Sequence, residues 1–476
     1  MRAERKRLWS ALLLAAVVAG CAPSVAGQPV IAPPSAPPSA STTSPIPTTT
    51  AAGSSTRTTT SSPTPTTTKP STTSAAELRW AHDRQASERA IDLGDYLTSG
   101  NRDKFLKSFD PKLGQAMGKW FDNVREIGVK QAAVEVLLGE KDSKQTDTTT
   151  KFTRVMAAGA RTPFDGDYSV PSLHYTVTFG KKGDGWLITG WKPTYEGDPL
   201  LCDCTLDVAT SDDTAVITQD QTLQDWPEAI ITMSDDADGW LAEQLAGTEL
   251  HLSKGHLIFL ATEPNRWFTE LTDPPNQANI TAALYTTAGQ AQARIVLTMW
   301  YSDGTPLDNT RRIRRFLTAT MVHEFVHQLM MDNAEPYARH PDPWVAEGIA
   351  AAMEVTWFRS DPSNEDNGYY LADDISQVDP DWIADHYRED FPTAAQLYDF
   401  DSDEGMNWYA LSGSVFLYLA DTYGMKDMLA TASLLYDDQG RDPFAFFPVA
   451  AGKDEYLPAE TARKNWQDWV ESNYVG

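Results

Sequence analysis

The chain has 476 residues, 22% of them charged and 41% hydrophobic, and its 66 acidic side chains outnumber 39 basic ones to leave a formal charge of −27 at pH 7. That balance argues against a nucleic-acid partner and against direct adsorption onto anionic lipid. The length is too great for one hydrophobic core and predicts two folded domains.

At the N-terminus, Arg2, Arg5, Lys6 and Arg7 precede a short apolar run from Leu12 to Ala19, followed by Gly20 and Cys21. A basic head with a short apolar run predicts a secretory signal over residues 1–20. Val18-Ala19-Gly20-Cys21 resembles the bacterial lipobox. The resemblance implies that Cys21 becomes the lipidated first residue of the mature chain, on the extracytoplasmic face of the cell membrane. An ordinary cleaved signal with an incidental cysteine is the alternative. No later apolar stretch is long enough to span a bilayer, so the expectation is an anchored protein, not a threaded one. Residues 21–73 are dominated by Pro, Ser, Thr and Ala. Such a composition buries too little apolar surface to offset chain entropy and predicts a disordered, extended tether.

Residues 74–198 read as a small α+β domain. Ser74 and Glu77 fit a capping box for a helix that Gly100 stops, and two further helices are predicted around Lys104–Phe109 and from Pro111 to about Ile127. The period then changes to strands at 129–138, 150–157, 173–179 and 186–191, the last two joined by Lys181-Lys182-Gly183-Asp184-Gly185. Helices followed by a curled antiparallel sheet resemble the nuclear transport factor 2-like, cystatin-like cone. The resemblance implies a non-catalytic accessory module whose partner the sequence does not name. His174 and Trp191 are expected to be packing residues. Between the two domains, Cys202 and Cys204 point the same way on an extended chain, compatible with a local disulfide or with two buried thiols.

Residues 206–476 make the second domain. A strand-like run from Leu206, a helix at about 235–246 and a strand at His256–Ala261 lead to Arg294–Thr298, then to His323-Glu324-Phe325-Val326-His327. Two histidines four residues apart lie on one helix face, where both rings can grip one metal ion with Glu324 beside the water it activates. Thr310 can cap that helix, and Ile313, Phe316, Leu317, Met321, Val326 and Leu329 keep helical apolar spacing. Asn333, Pro336, Pro341 and Pro343 break the chain before a second apolar helix that opens with Trp344-Val345-Ala346-Glu347 and continues to Val355. Glu347 completes a His, His, Glu set with an open fourth position, the pattern of catalytic zinc. Glu354, seven positions on, shares its face and can orient a ligand histidine; a solvated surface glutamate is the alternative.

HEFVH followed by WVAEGIA resembles the gluzincin metallopeptidases, the thermolysin and aminopeptidase clan, and its small peptidase MA-like members. The resemblance implies a mostly helical domain with a small upstream sheet, zinc on His323, His327 and Glu347, and hydrolysis of a peptide or protein substrate. It also implies a substrate-binding sheet edge, for which Arg294–Thr298 is the candidate beside an ordinary covered strand. The clan's amine-anchoring Gly-x-Met-Glu-Asn stretch does not occur here, which favours cleavage within chains. The segment Tyr409-Ala-Leu-Ser-Gly resembles the clan's tyrosine segment, whose leading tyrosine donates to the oxyanion; a core aromatic is the alternative for Tyr409. Residues 361–404 hold fourteen acids against Arg388 alone and predict a solvated loop or an acidic cleft wall. Asp399, Asp401 and Asp403 could bind calcium but follow no recognised loop pattern. Helices are expected at 406–422, 425–436 and 458–473. An envelope binding or assembly lipoprotein retaining this zinc fold as a scaffold is the competing function, and the intact base Glu324 argues against it.

Overall fold

The computed structural model describes residues 74–128, 131–137, 146–161, 173–193, 205–252, 255–261, 282–287, 290–299, 306–334, 341–360, 380–388, 391–397, 403–437, 442–449, 453 and 455–475. It is an α+β protein with two sheets. Among these residues no helix is long and apolar enough to cross a membrane.

Helix α1 (Ala75–Ser99) starts at Ser74, whose side chain accepts from Glu77 N while the Glu77 carboxylate accepts from Ser74 N. It ends at Gly100, held at φ 68°, a left-handed position that glycine adopts without strain. Helices α2 (Arg102–Lys107) and α3 (Gly114–Glu126) follow. The chain then forms an antiparallel meander of β1 (Gln131–Val136), β2 (Lys151–Arg161), β3 (Leu173–Lys182) and β4 (Gly185–Pro193). Trp191 packs among Phe109, Trp120 and Tyr175.

The second sheet has the order β5 (Asp207–Thr210), β6 (Thr214–Thr218), β7 (His256–Ala261), β9 (Gln290–Thr298), β8 (Ala282–Thr287). β6, β7 and β9 run parallel, and hairpins add β5 and β8 antiparallel at the two edges. Arg294–Thr298 is therefore not an edge. It pairs with β7 on one side and, on the other, with β8, whose sequence is Ala-Ala-Leu-Tyr-Thr-Thr.

Both faces of this sheet are covered. Val216, Ile258, Leu260, Ile295 and Leu297 join the core of the helical layer. Their alternates Ala215, Ile217, Leu257, Phe259 and Val296 share a core with α1, α3 and the meander. The expected boundary near 198–206 falls largely in 194–204, outside the described residues.

Between β6 and β7 lies α4 (Pro227–Gln244), which begins eight residues before the expected 235. Pro227 occupies its first turn, where a missing N–H costs nothing, and Ile230 and Ile231 are buried. The helical layer comprises α5 (Arg311–Asn333), α6 (Pro343–Ser360), α7 (Pro380–His386), α8 (Ala394–Leu397), α9 (Asp403–Tyr423), α10 (Met425–Asp437) and α11 (Ala459–Val470). Among its described residues the acidic stretch 361–404 thus holds α7, α8 and the start of α9, and Ile383 and Tyr387 are buried there. Its remaining expectations concern 361–379 and Asp399 and Asp401, outside the described residues, as are Cys21, Cys202 and Cys204.

Candidate metal centre

Two helices that are apolar nearly all round bring the site's charged side chains into the core. Thr310 caps α5 by accepting from Ile313 N, and from Phe316 to Met330 every residue of the helix is buried. His323, Glu324, His327, Glu347 and Glu354 are each at most 1% exposed. Ionisable groups so deep are strongly destabilising unless something compensates them.

The crossing of α6 over α9 fixes Glu347. Gly348, the next residue, meets α9 so closely that a Cβ there would lie 2.8 Å from Ser412 O and 2.9 Å from Phe416 Cε2. Only the absent side chain allows this approach. The sequence reading did not assign Gly348 a role, although a glycine inside a buried helix is itself a signal of close packing.

One carboxylate oxygen of Glu347, Oε2, lies 3.4 Å from His323 Nε2 and 3.4 Å from His327 Nε2. The three ligand atoms are all within 4.8 Å of one another, so the group could hold a metal ion. Neither Nε2 atom has a hydrogen-bond partner among the described residues, nor does His327 Nδ1. Unpaired buried nitrogens are costly, and a cation shared by both Nε2 atoms removes that cost. The two distances from Glu347 Oε2 suit such an ion. A tetrahedral centre with ligand bonds of about 2.0–2.1 Å sets neighbouring ligand atoms about 3.4 Å apart.

Behind this group, His323 Nδ1 lies 3.1 Å from Glu354 Oε2. Glu347 and Glu354, two turns apart on α6, therefore straddle one imidazole. Burial disfavours a charged His323, but Glu347 and Glu354 outweigh it and push the ring up to about 10. For Glu347, burial again opposes the charge, and His327 and His323 hold the carboxyl at about 2. Burial lowers His327. It raises Glu354 against the pull of His323. The carboxylates thus keep a proton on His323 unless a metal cation takes its place.

Glu324 is buried beside the group, and its charge is felt at His323. Tyr409 is 2% exposed on α9. It lies on the same face as Ser412, Gly413 and Phe416, the face packed on Gly348, one turn nearer the start of α9. The structure thus gathers His323, His327, Glu347 and Glu354 into direct contact and puts Tyr409 on the helix crossing over Glu347. No family model matches the chain, and no curated protein matches its sequence.

Proposed function

We propose that the chain is a zinc metallopeptidase of the gluzincin type, more an endopeptidase than an exopeptidase, tethered by lipid on Cys21 to the extracytoplasmic face of the membrane. The convergence of His323, His327 and Glu347 on one point in the core carries this reading. Two imidazoles and one carboxylate suit zinc, and three protein ligands leave a fourth position for chemistry. A zinc ion held there supplies Lewis acidity, polarising the scissile carbonyl and acidifying the attacking water.

The other steps belong to the chain's own side chains. Glu324, beside the ligands but outside the converging set, takes the proton of the attacking water and returns it to the leaving amine. Tyr409 donates its hydroxyl proton to the oxyanion of the tetrahedral adduct. Glu354 accepts from His323 Nδ1–H, leaving Nε2 unprotonated and aimed at the metal position. The domain containing these residues is read as the gluzincin-like one, and the meander with α1–α3 as a nuclear transport factor 2-like accessory module.

The test separates metal from base. Glu324→Gln is expected to retain about one zinc per chain yet lose at least about a hundredfold in turnover of a fluorogenic peptide library, the scale of general-base catalysis. His327→Ala is expected to lose the metal. Retained turnover in Glu324→Gln would refute the mechanism.

A further inference from the structure

α4, β7 and α5 meet at His256, a fully buried ring for which the peptidase chemistry has no use. Its Nε2 lies 3.0 Å from each carboxylate oxygen of Asp238, and its Nδ1 lies 2.8 Å from Gln328 Oε1. The Gln328 amide is fixed by its own second bond, Nε2 donating to Gly255 O at 3.0 Å. Turning that amide over would set two carbonyl oxygens against each other. Both ring nitrogens of His256 therefore face acceptors, and a ring making both bonds carries both protons.

The surroundings suit a cation. Phe325 stacks on the ring at 3.6 Å and 6°, offering its electron-rich face. Asp238 is one of three acids, with Asp213 and Asp236, whose charges are felt at Asp235. Phe325 stands roughly opposite the metal-facing histidines around α5, and Gln328 directly follows His327. On the metal-facing side of this stretch His323 Nδ1 meets Glu354 Oε2, while Val322, Val326 and Leu329 make apolar, non-directional contacts. The hydrogen bonds to a ring stacked on Phe325 thus add a second directional contact, on a different side of the helix from the one that His323 makes with Glu354.

We infer that His256 is a buried imidazolium latch which, held by Asp238 and Gln328 and stacked on Phe325, acts as a positioning residue for the metal ligands His323 and His327. The positioning role rests on the zinc reading; the doubly protonated ring does not.

The experiment uses the whole chain with its eight histidines labelled with 15N. The His256 signals are assigned by their loss in His256→Gln. At neutral pH both nitrogens are expected in the imidazolium range with slowly exchanging protons. Asp238→Asn is expected to convert the ring to a neutral tautomer and to weaken zinc binding in chelator competition by up to about tenfold, the low end of the loss when a group that touches a ligand directly is removed. Phe325→Leu, which leaves both hydrogen bonds in place, is expected to weaken zinc binding in the same direction and covers the case in which Asp238→Asn does not fold. A neutral His256 ring in the wild type overturns the latch. Wild-type zinc affinity in a folded Asp238→Asn variant whose ring has changed overturns the positioning role. If the wild-type chain binds no zinc, the metallopeptidase reading falls, and the ring signals still decide the latch.

Discussion

Gly348→Ala is the sharpest probe of how the helical layer builds the site. The added Cβ would sit 2.8 Å from Ser412 O, 2.9 Å from Ser412 C and 2.9 Å from Phe416 Cε2. Two of these atoms are helix backbone, and the Phe416 ring is fully buried, so no flexible end can move aside. α6 must retreat from α9 by about 0.5 Å or more, at an overpacking cost of about 1–3 kcal/mol. Up to about 1 kcal/mol returns through helix propensity. Glu347 moves with α6, changing its spacing to nitrogens now 3.4 Å from its Oε2. If the strain falls on the ligand set, 1–3 kcal/mol corresponds to about a 5- to 150-fold loss of zinc affinity, read by chelator competition with thermal melting alongside. Gly413→Ala is the matched control. Its Cβ would meet Ala351 Cβ at 3.5 Å and backbone at 3.7–3.8 Å, ordinary contacts, so affinity should hold and stability should rise slightly. Equal zinc affinity in Gly348→Ala and wild type would refute the claim that the α6–α9 crossing sets the position of Glu347.

Glu354→Gln keeps the shape but weakens the acceptor for His323 Nδ1–H; zinc affinity is expected to fall about 10- to 100-fold, measured by competition at fixed pH. Tyr409→Phe is expected to lower kcat by about ten- to a thousandfold with KM and zinc content near wild type, since only the transition state needs that donor; unchanged turnover would make Tyr409 a core aromatic. In the N-terminal unit, Asp147 accepts from His82 Nδ1–H at 2.8 Å and from Arg154 at 3.0 Å. Burial raises the Asp147 pKa, but these bonds outweigh it and hold the carboxyl below 3.8. A depressed carboxyl stabilises above its unfolded value and stops doing so as pH falls through the folded one. Asp147→Asn should therefore cost about 1–3 kcal/mol near neutrality, and the gap to wild type should close below about pH 3.8 in denaturant titrations.

Where the sequence was informative, local chemistry dictated the answer. Ser74, Glu77 and Gly100 delimit α1, and Thr310 starts α5, because caps satisfy backbone groups within three or four residues. The histidine pair was legible for the same reason, since i, i+4 spacing fixes a shared face. Its joining to Glu347 depends on a chain reversal that proline positions suggested but could not aim. β9 shows what such reading misses. Its apolar run looks the same at an edge or in the middle, and its position is decided by β8, a six-residue partner that opens on Ala282 and Ala283, residues depleted in strands.

The helices around the site were harder for a physical reason. An amphipathic helix announces which face is buried, but α5 is buried on every side from Leu317 to Met330, and α6 nearly so. With no solvent face there is no pattern to orient them. Orientation comes from directional contacts spread through the sequence: Gly348 against Ser412, His323 against Glu354, and Gln328 against His256. Each pairs residues 31 to 72 positions apart, one of them through a missing side chain. The polar members of these pairs could as well lie in solvent, as the open reading of Glu354 shows. Burying them is costly unless every contact is made together, so ligand geometry and core packing form one constraint in this layer. A substitution that loosens any one of these contacts should therefore appear first as weaker metal binding and only then as lost stability.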